Sequence, residues 1–221
     1  TLNGIYDGML VKYYLQAVNS GGDIQTYPSN APDNKIIFTI GDLPDIYSNN
    51  FELDTEGWSI GESSDNATSG IWELAAPIAT YNDDDLQVQP GSDITEDGTL
   101  CFLTGNGYEE GNGGFDDVDN GKTTLYSPVF NLNDFDEIVV SYWRWYTNDI
   151  GDNGNNDKWE VSVSNDSGDS WTYLEYTSAS SANWNKKTFL LSDHIELSPT
   201  MSFKFIAEDI SYDGDNGSGG S

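Results

Sequence analysis

Two acidic stretches hold the residues best suited to chemistry. Residues 115–121 read FDDVDNG, placing Asp116, Asp117 and Asp119 just before a glycine that permits a sharp turn. Residues 148–157 read NDIGDNGNND and hold Asp149, Asp152 and Asp157. Unpaired carboxylates this close repel, and a hard cation with about six to eight oxygen ligands relieves the repulsion. Ca2+ is the expected ion. Asp119, Asp149 and Asp157 are the best single ligands, with Asp116 and Asp117 beside them. Asp65, in the polar loop before Trp72, is a further candidate. Neither stretch is an EF-hand: counting from Asp117, the fifth position is Gly121 rather than Asp or Asn. Residues 213–217, DGDNG, also begin like a calcium loop. The plain alternative for all of them is a set of solvated turns.

A long aromatic strand separates the two stretches. Residues 138–147 read IVVSYWRWYT. Alternation puts Ile138, Val140, Tyr142, Arg144 and Tyr146 on one face and Val139, Ser141, Trp143 and Trp145 on the other. If exposed, Trp143 and Trp145 would stack on sugar rings, with nearby Asp and Asn accepting hydroxyl hydrogen bonds. Core packing is the competing role, favoured for a strand that reads as central. His194, the only histidine, reads as an exposed loop residue, so no His-rich zinc site can form. Cys101 has no basic neighbours to activate it, and no nucleophile elbow occurs. No catalytic residue is expected.

Of the 221 residues, 38 are Asp or Glu and 8 are Lys or Arg, for a formal net charge of −30. Such a field repels nucleic acid and anionic membranes, so neither is an expected partner. Seven Trp, 13 Tyr and 9 Phe supply a large aromatic core, unlike a disordered acidic chain. A single cysteine excludes an intrachain disulfide, and calcium would be an alternative staple outside the cell. No apolar run reaches the roughly 20 residues that span a bilayer. No signal peptide begins at Thr1, so an extracellular or cell-surface location needs a signal upstream or already removed.

The elements that position these residues read as strands throughout, with no sustained helical period. Residues 1–42 hold an alternating run at 9–18, a turn at 19–22, and return strands at 24–27 and 35–40. A linker is expected at 43–49. Residues 50–221 form a series of short strands with turn signals between them. Strands are expected near 51–54, 71–74, 99–104, 123–132, 138–147, 158–163 and 201–207, with 138–147 the longest and 158–163 wet on one face. The expected fold is all-β, an antiparallel sandwich or jelly roll after a partial immunoglobulin-like segment.

Several motifs, taken in order, resemble a known domain. NNFELDTEGW, DNATSGIWELAAP, GTLCFLTGN, DVDNGKTTLYSPVF, YWRWYTND, DKWEVSVSNDSGDSWTYLE and FKFIAED are similar to the jelly-roll (MAM or carbohydrate-binding-like) accessory domain of secreted bacterial enzymes such as carboxypeptidase-type metallopeptidases. The likeness covers about residues 50–210. YYLQAVNSGGDIQTYPSNAP resembles the last strands of a fibronectin type III-like or immunoglobulin-like module. The resemblance implies an acid beside the first strand, which adds Glu52 to the metal candidates. It also implies a further strand after the GSGGS-like loop at 217–221, and that strand is expected to be missing here. Ser164–Trp171, SNDSGDSW, resembles an Asp-box, a structural turn.

The expected function is a non-catalytic, calcium-binding extracellular module that attaches a parent enzyme to polysaccharide or to a surface protein. One alternative is a fibre subunit that self-associates through open sheet edges. A lesser one is a metal-assisted hydrolase.

Overall fold

The computed structural model describes residues 8–32, 35–41, 43–82, 84–107, 111–112, 114, 116–149 and 154–209. Asp152, Asp213 and Asp215 lie outside the described residues. The chain divides into two units, Thr1–Ser48 and Asn49–Ser221.

The first unit contains β1 (Met9–Tyr13), β2 (Leu15–Val18), β3 (Ile24–Tyr27) and β4 (Ile36–Ile40). β1 pairs antiparallel with β4, and β2 with β3. The β2–β3 turn is closed by Asn19, whose Oδ1 accepts the Gly21 and Asp23 amides at 2.8 and 2.9 Å. A short amide side chain that bonds the backbone ahead of it makes this turn locally encoded.

The second unit runs through β5 (Ser59–Ile60), β6 (Trp72–Ala75), β7 (Thr80–Tyr81), β8 (Gln87–Gln89), β9 (Cys101–Thr104), β10 (Gly111–Asn112), β11 (Lys122–Tyr126) and β12 (Val139–Tyr146). It continues with β13 (Trp159–Ser164), β14 (Thr172–Thr177), β15 (Ser181–Leu190), a 3-10 turn at Leu191–Asp193 and β16 (Ser202–Glu208). Five strands make the main sheet in the order β14-β13-β16-β11-β5, antiparallel throughout. β12 pairs with β15, β6 with β9, and β8, β7 and β10 form a small sheet. The fold is an all-β sandwich. Leu125, Val161, Val163, Phe203 and Ala207 from the main sheet share one core with Trp72, Tyr142, Tyr146 and Phe189 from the facing pairs.

An ion pair crosses this core. Arg144 on β12 is 6% exposed, and its Nη2 lies 3.0 Å from Glu175 Oε1 on β14. Glu175 also accepts from Tyr142 Oη at 2.7 Å and Trp159 Nε1 at 3.0 Å. The Arg144 guanidinium lies over the Tyr146 and Trp159 rings, at 5.2 and 5.8 Å from their centroids. The charge is paired through Nη2, whereas Nε and Nη1 are buried without a hydrogen-bond partner; pairing lowers the cost of taking a charge out of water.

The structure corrects the sequence expectations at four places. Residues 51–54 are not a strand; Phe51 has φ +65° and its ring packs on Trp58 and Phe102. The longest strand is β15, not β12. Its sequence, SANWNKKTFL, alternates too poorly to announce itself. β12 is not central, since β15 is its one partner among the described residues. The outer face of β13 is not wet: Ser162 and Ser164 are fully buried. Ser162 donates to Glu160 at 2.8 Å and pairs in register with Lys204, which is ion-paired to Glu160 at 3.6 Å.

The turn at 164–171 is closed by its own side chains. Asp166 Oδ1 accepts the Ser164 hydroxyl and the Ser170 amide, Gly168 takes φ +93°, and Trp171 Nε1 donates to Gly168 O at 3.1 Å.

Candidate metal centre

Sheet order brings the two acidic loops together. β11 and β13 both run antiparallel to β16, so their starts lie at the same end of the sheet as the end of β16. Residues 116–121 lead into β11, residues 154–158 lead into β13, and Asp209 follows β16. Trp159 pairs with Ala207, and continuing that register two residues places Asp157 opposite Asp209. On the other side the Asp209 amide donates to Gly121 O at 2.7 Å. Asp209 is thus the link between the loops.

The first loop is held from below by residues 68–70. The Thr68 amide donates to Asp119 O at 2.8 Å. The Ser69 hydroxyl lies 2.8 Å from both the Asp117 carbonyl and Asp119 Oδ2, its one proton shared between them. Gly70 has φ +62°, and a Cβ there would stand 2.3 Å from the Asp117–Val118 peptide. Only glycine fits so close an approach. The carboxylates are then oriented singly. Asp116 Oδ2 accepts the Asn106 amide at 3.1 Å, and Asp209 Oδ2 accepts the Asn120 amide at 2.7 Å.

Asp117 is the exception. Its Oδ2 is buried and has no hydrogen-bond partner. Burial, then the negative charge of Asp119, with Asp209 and Asp116 adding to it, push its carboxyl up to about 7. An acid in this position needs either a proton or a cation near neutral pH.

In the second loop the candidates separate. Asp157 is 3% exposed, and its carbonyl accepts from Asn148 Nδ2 at 2.8 Å and Tyr146 Oη at 3.2 Å. Asp149 is exposed and accepts the Ser180 hydroxyl at 2.7 Å. The negative charge of Asp157 contributes to raising both Tyr146 and Glu208, after the burial of each.

Two sequence candidates serve local structure. Glu52 Oε1 accepts the Thr99 and Leu100 amides at 2.7 and 2.6 Å, which lowers its pKa and fixes the approach to β9. Asp65 accepts the Thr124 amide and hydroxyl at 2.9 and 2.7 Å, fastening its loop to β11. Trp143 and Trp145 also differ. Trp143 is 46% exposed, whereas Trp145 Nε1 donates to Val88 O at 2.6 Å and its ring meets Trp184 edge-on.

Sequence reasoning missed Asp209 and Asn148. Each is a polar residue that continues an inward-facing row past the end of its strand: Phe203, Phe205, Ala207, Asp209 and Tyr142, Arg144, Tyr146, Asn148. Among the described residues no three Asp, Glu, His or Cys side chains already close on one metal position. The donors are hard oxygens, as calcium prefers, and the Asp117 oxygen is left without a partner.

No family model, curated protein or solved structure matches this chain. The likeness to the jelly-roll accessory domains rests on the sequence motifs alone.

Proposed function

We propose that this chain is a non-catalytic, calcium-stabilised β-sandwich module of the extracellular or cell-surface class, and that it attaches to polysaccharide. The observation that carries the calcium reading is the buried Asp117 oxygen, without a donor and beside Asp119, Asp209 and Asp116. A divalent ion would supply counter-charge to this cluster. The module's one cysteine is buried, so calcium is the staple that remains. Trp143 supports the attachment reading, because its exposed ring on a rigid strand is suited to stacking against a sugar.

Calorimetric titration of chelator-stripped protein tests the calcium reading. The expectation is saturable binding of calcium that Asp117→Asn and Asp209→Asn weaken, with magnesium much weaker. Absence of calcium binding in the unmodified chain would retire it. Sedimentation with insoluble polysaccharides, with and without Trp143→Ala, tests attachment. Binding to no polysaccharide in calcium would count against it.

The open edge of β14 favours a second reading, self-association by strand addition, since β14 ends the main sheet with no outer partner among the described residues. A mass that stays monomeric across concentration by light scattering would dispose of that reading.

A further inference from the structure

We propose that Asn148, Asp157 and Asp209 hold one calcium ion in the interior of the sandwich, so that the ion ties β12 to the main sheet. This rests on the calcium reading above and assigns a ligand, Asn148, that is not a carboxylate.

Alternation puts the three residues on the inward rows of their strands, at one end of the sandwich. Asn148 lies two residues beyond Tyr146 on the inward row of β12. Asp157 lies two residues before Trp159 on the inward row of β13, and Asp209 two residues beyond Ala207 on β16. They are 0%, 3% and 7% exposed. Buried acids and amides at the end of a core are expensive unless their oxygens are satisfied.

The Asn148 amide orientation is determined. Its Nδ2 donates to Asp157 O at 2.8 Å and to Ser178 O at 3.2 Å. Rotating the amide would set an oxygen against two carbonyls, so the assignment stands on chemistry. Oδ1 is therefore left buried with no donor. Its backbone is fixed as well: the amide N–H donates to Ser180 Oγ at 3.0 Å, and the carbonyl accepts from Asn155 N. A rigid, neutral carbonyl oxygen left without a partner, on a residue hydrogen-bonded to the Asp157 backbone, matches calcium, which combines amide oxygens with carboxylates and fills its remaining positions with water. Because Asn148 belongs to the β12 layer and both aspartates to the main sheet, the ion would bridge the two layers.

The test compares Asn148→Asp, Asn148→Ala and Ser170→Ala in the full chain. Each is titrated with calcium by calorimetry and melted in calcium and in EGTA. Asn148→Ala should weaken calcium binding by about tenfold or more. Asn148→Asp should melt below the unmodified chain in EGTA, because it adds a third buried carboxylate. It should recover more on adding calcium than the unmodified chain does. Ser170→Ala removes a hydrogen bond from the turn at the opposite end of the main sheet and should leave calcium affinity unchanged. If the unmodified chain binds calcium and both Asn148 variants bind it equally well, this inference fails while the calcium reading stands. A purely structural Asn148 would also show itself by equal losses of Asn148→Asp in calcium and in EGTA. If the unmodified chain binds no calcium, both fall together.

Discussion

Trp143 and Trp145 face the same way on one strand, yet their surroundings give them different tasks. Trp145 is tied to Val88 and Trp184, so Trp145→Ala should cost about 3–5 kcal/mol of stability, read by denaturant unfolding. Trp143→Ala should leave the melt nearly unchanged while weakening polysaccharide retention. Asp117 and Asp166 show how one residue type acquires opposite character. The Ser170 hydroxyl and amide, with the Ser164 hydroxyl, hold Asp166 at about 2, below its ordinary 3.8. The folded state then binds that proton less tightly than the unfolded chain. Its contribution is present above 3.8 and is lost as pH falls through about 2. Asp166→Asn should flatten the acid limb of the stability curve over that window. Asp117 has its own backbone amide as a donor, but burial and the neighbouring negative charges outweigh it and its Oδ2 has no partner. In EGTA, Asp117→Asn should therefore raise the melting temperature by removing a buried charge among like charges.

At the scale of elements, the cross-core ion pair sets how β12 and β14 meet. Replacing Glu175 with leucine strands Arg144 in the interior, and should destabilise by about 3–5 kcal/mol in chemical denaturation. Changing both residues to apolar ones should recover most of that loss. Strands β6, β9, β11 and β13 were legible in the sequence because apolar residues alternate between clear turn signals. β15 was not, because its residues are mostly polar and it is positioned by seven register pairs with β12 rather than by its own pattern. The wet face expected for β13 was wrong for a related reason. Serines read as solvent-facing, but Ser162 is buried with its hydroxyl on Glu160, and Ser164 is buried within its own turn, bonded to Asp166 and Gly168. The candidate site was half legible. Clustered Asp residues announced the loops, whereas their meeting through Asp209 depends on the order β13-β16-β11, which no local pattern contains. Asn148 was hidden because an amide next to an aspartate reads as turn chemistry.

For the whole molecule, a net charge of −30 opposes compaction. Monovalent salt shortens the screening length from about 8 Å at physiological ionic strength to about 3 Å at 1 M. Raising sodium chloride in EGTA should increase the melting temperature gradually and without saturation at low concentration. A specific ion behaves differently, since it acts at one place and saturates. The most direct measurement is thermal unfolding in calcium and in excess EGTA at constant ionic strength, with magnesium as control. At a calcium concentration near 100 times its Kd, stabilisation should be about 2.7 kcal/mol, or roughly 5–10 °C for a chain of this length. A calcium-specific rise of that order, saturating with concentration and reduced in Asp117→Asn, is the predicted result. Superimposable melts in calcium, magnesium and EGTA would contradict the account and leave the acidic loops as solvated turns.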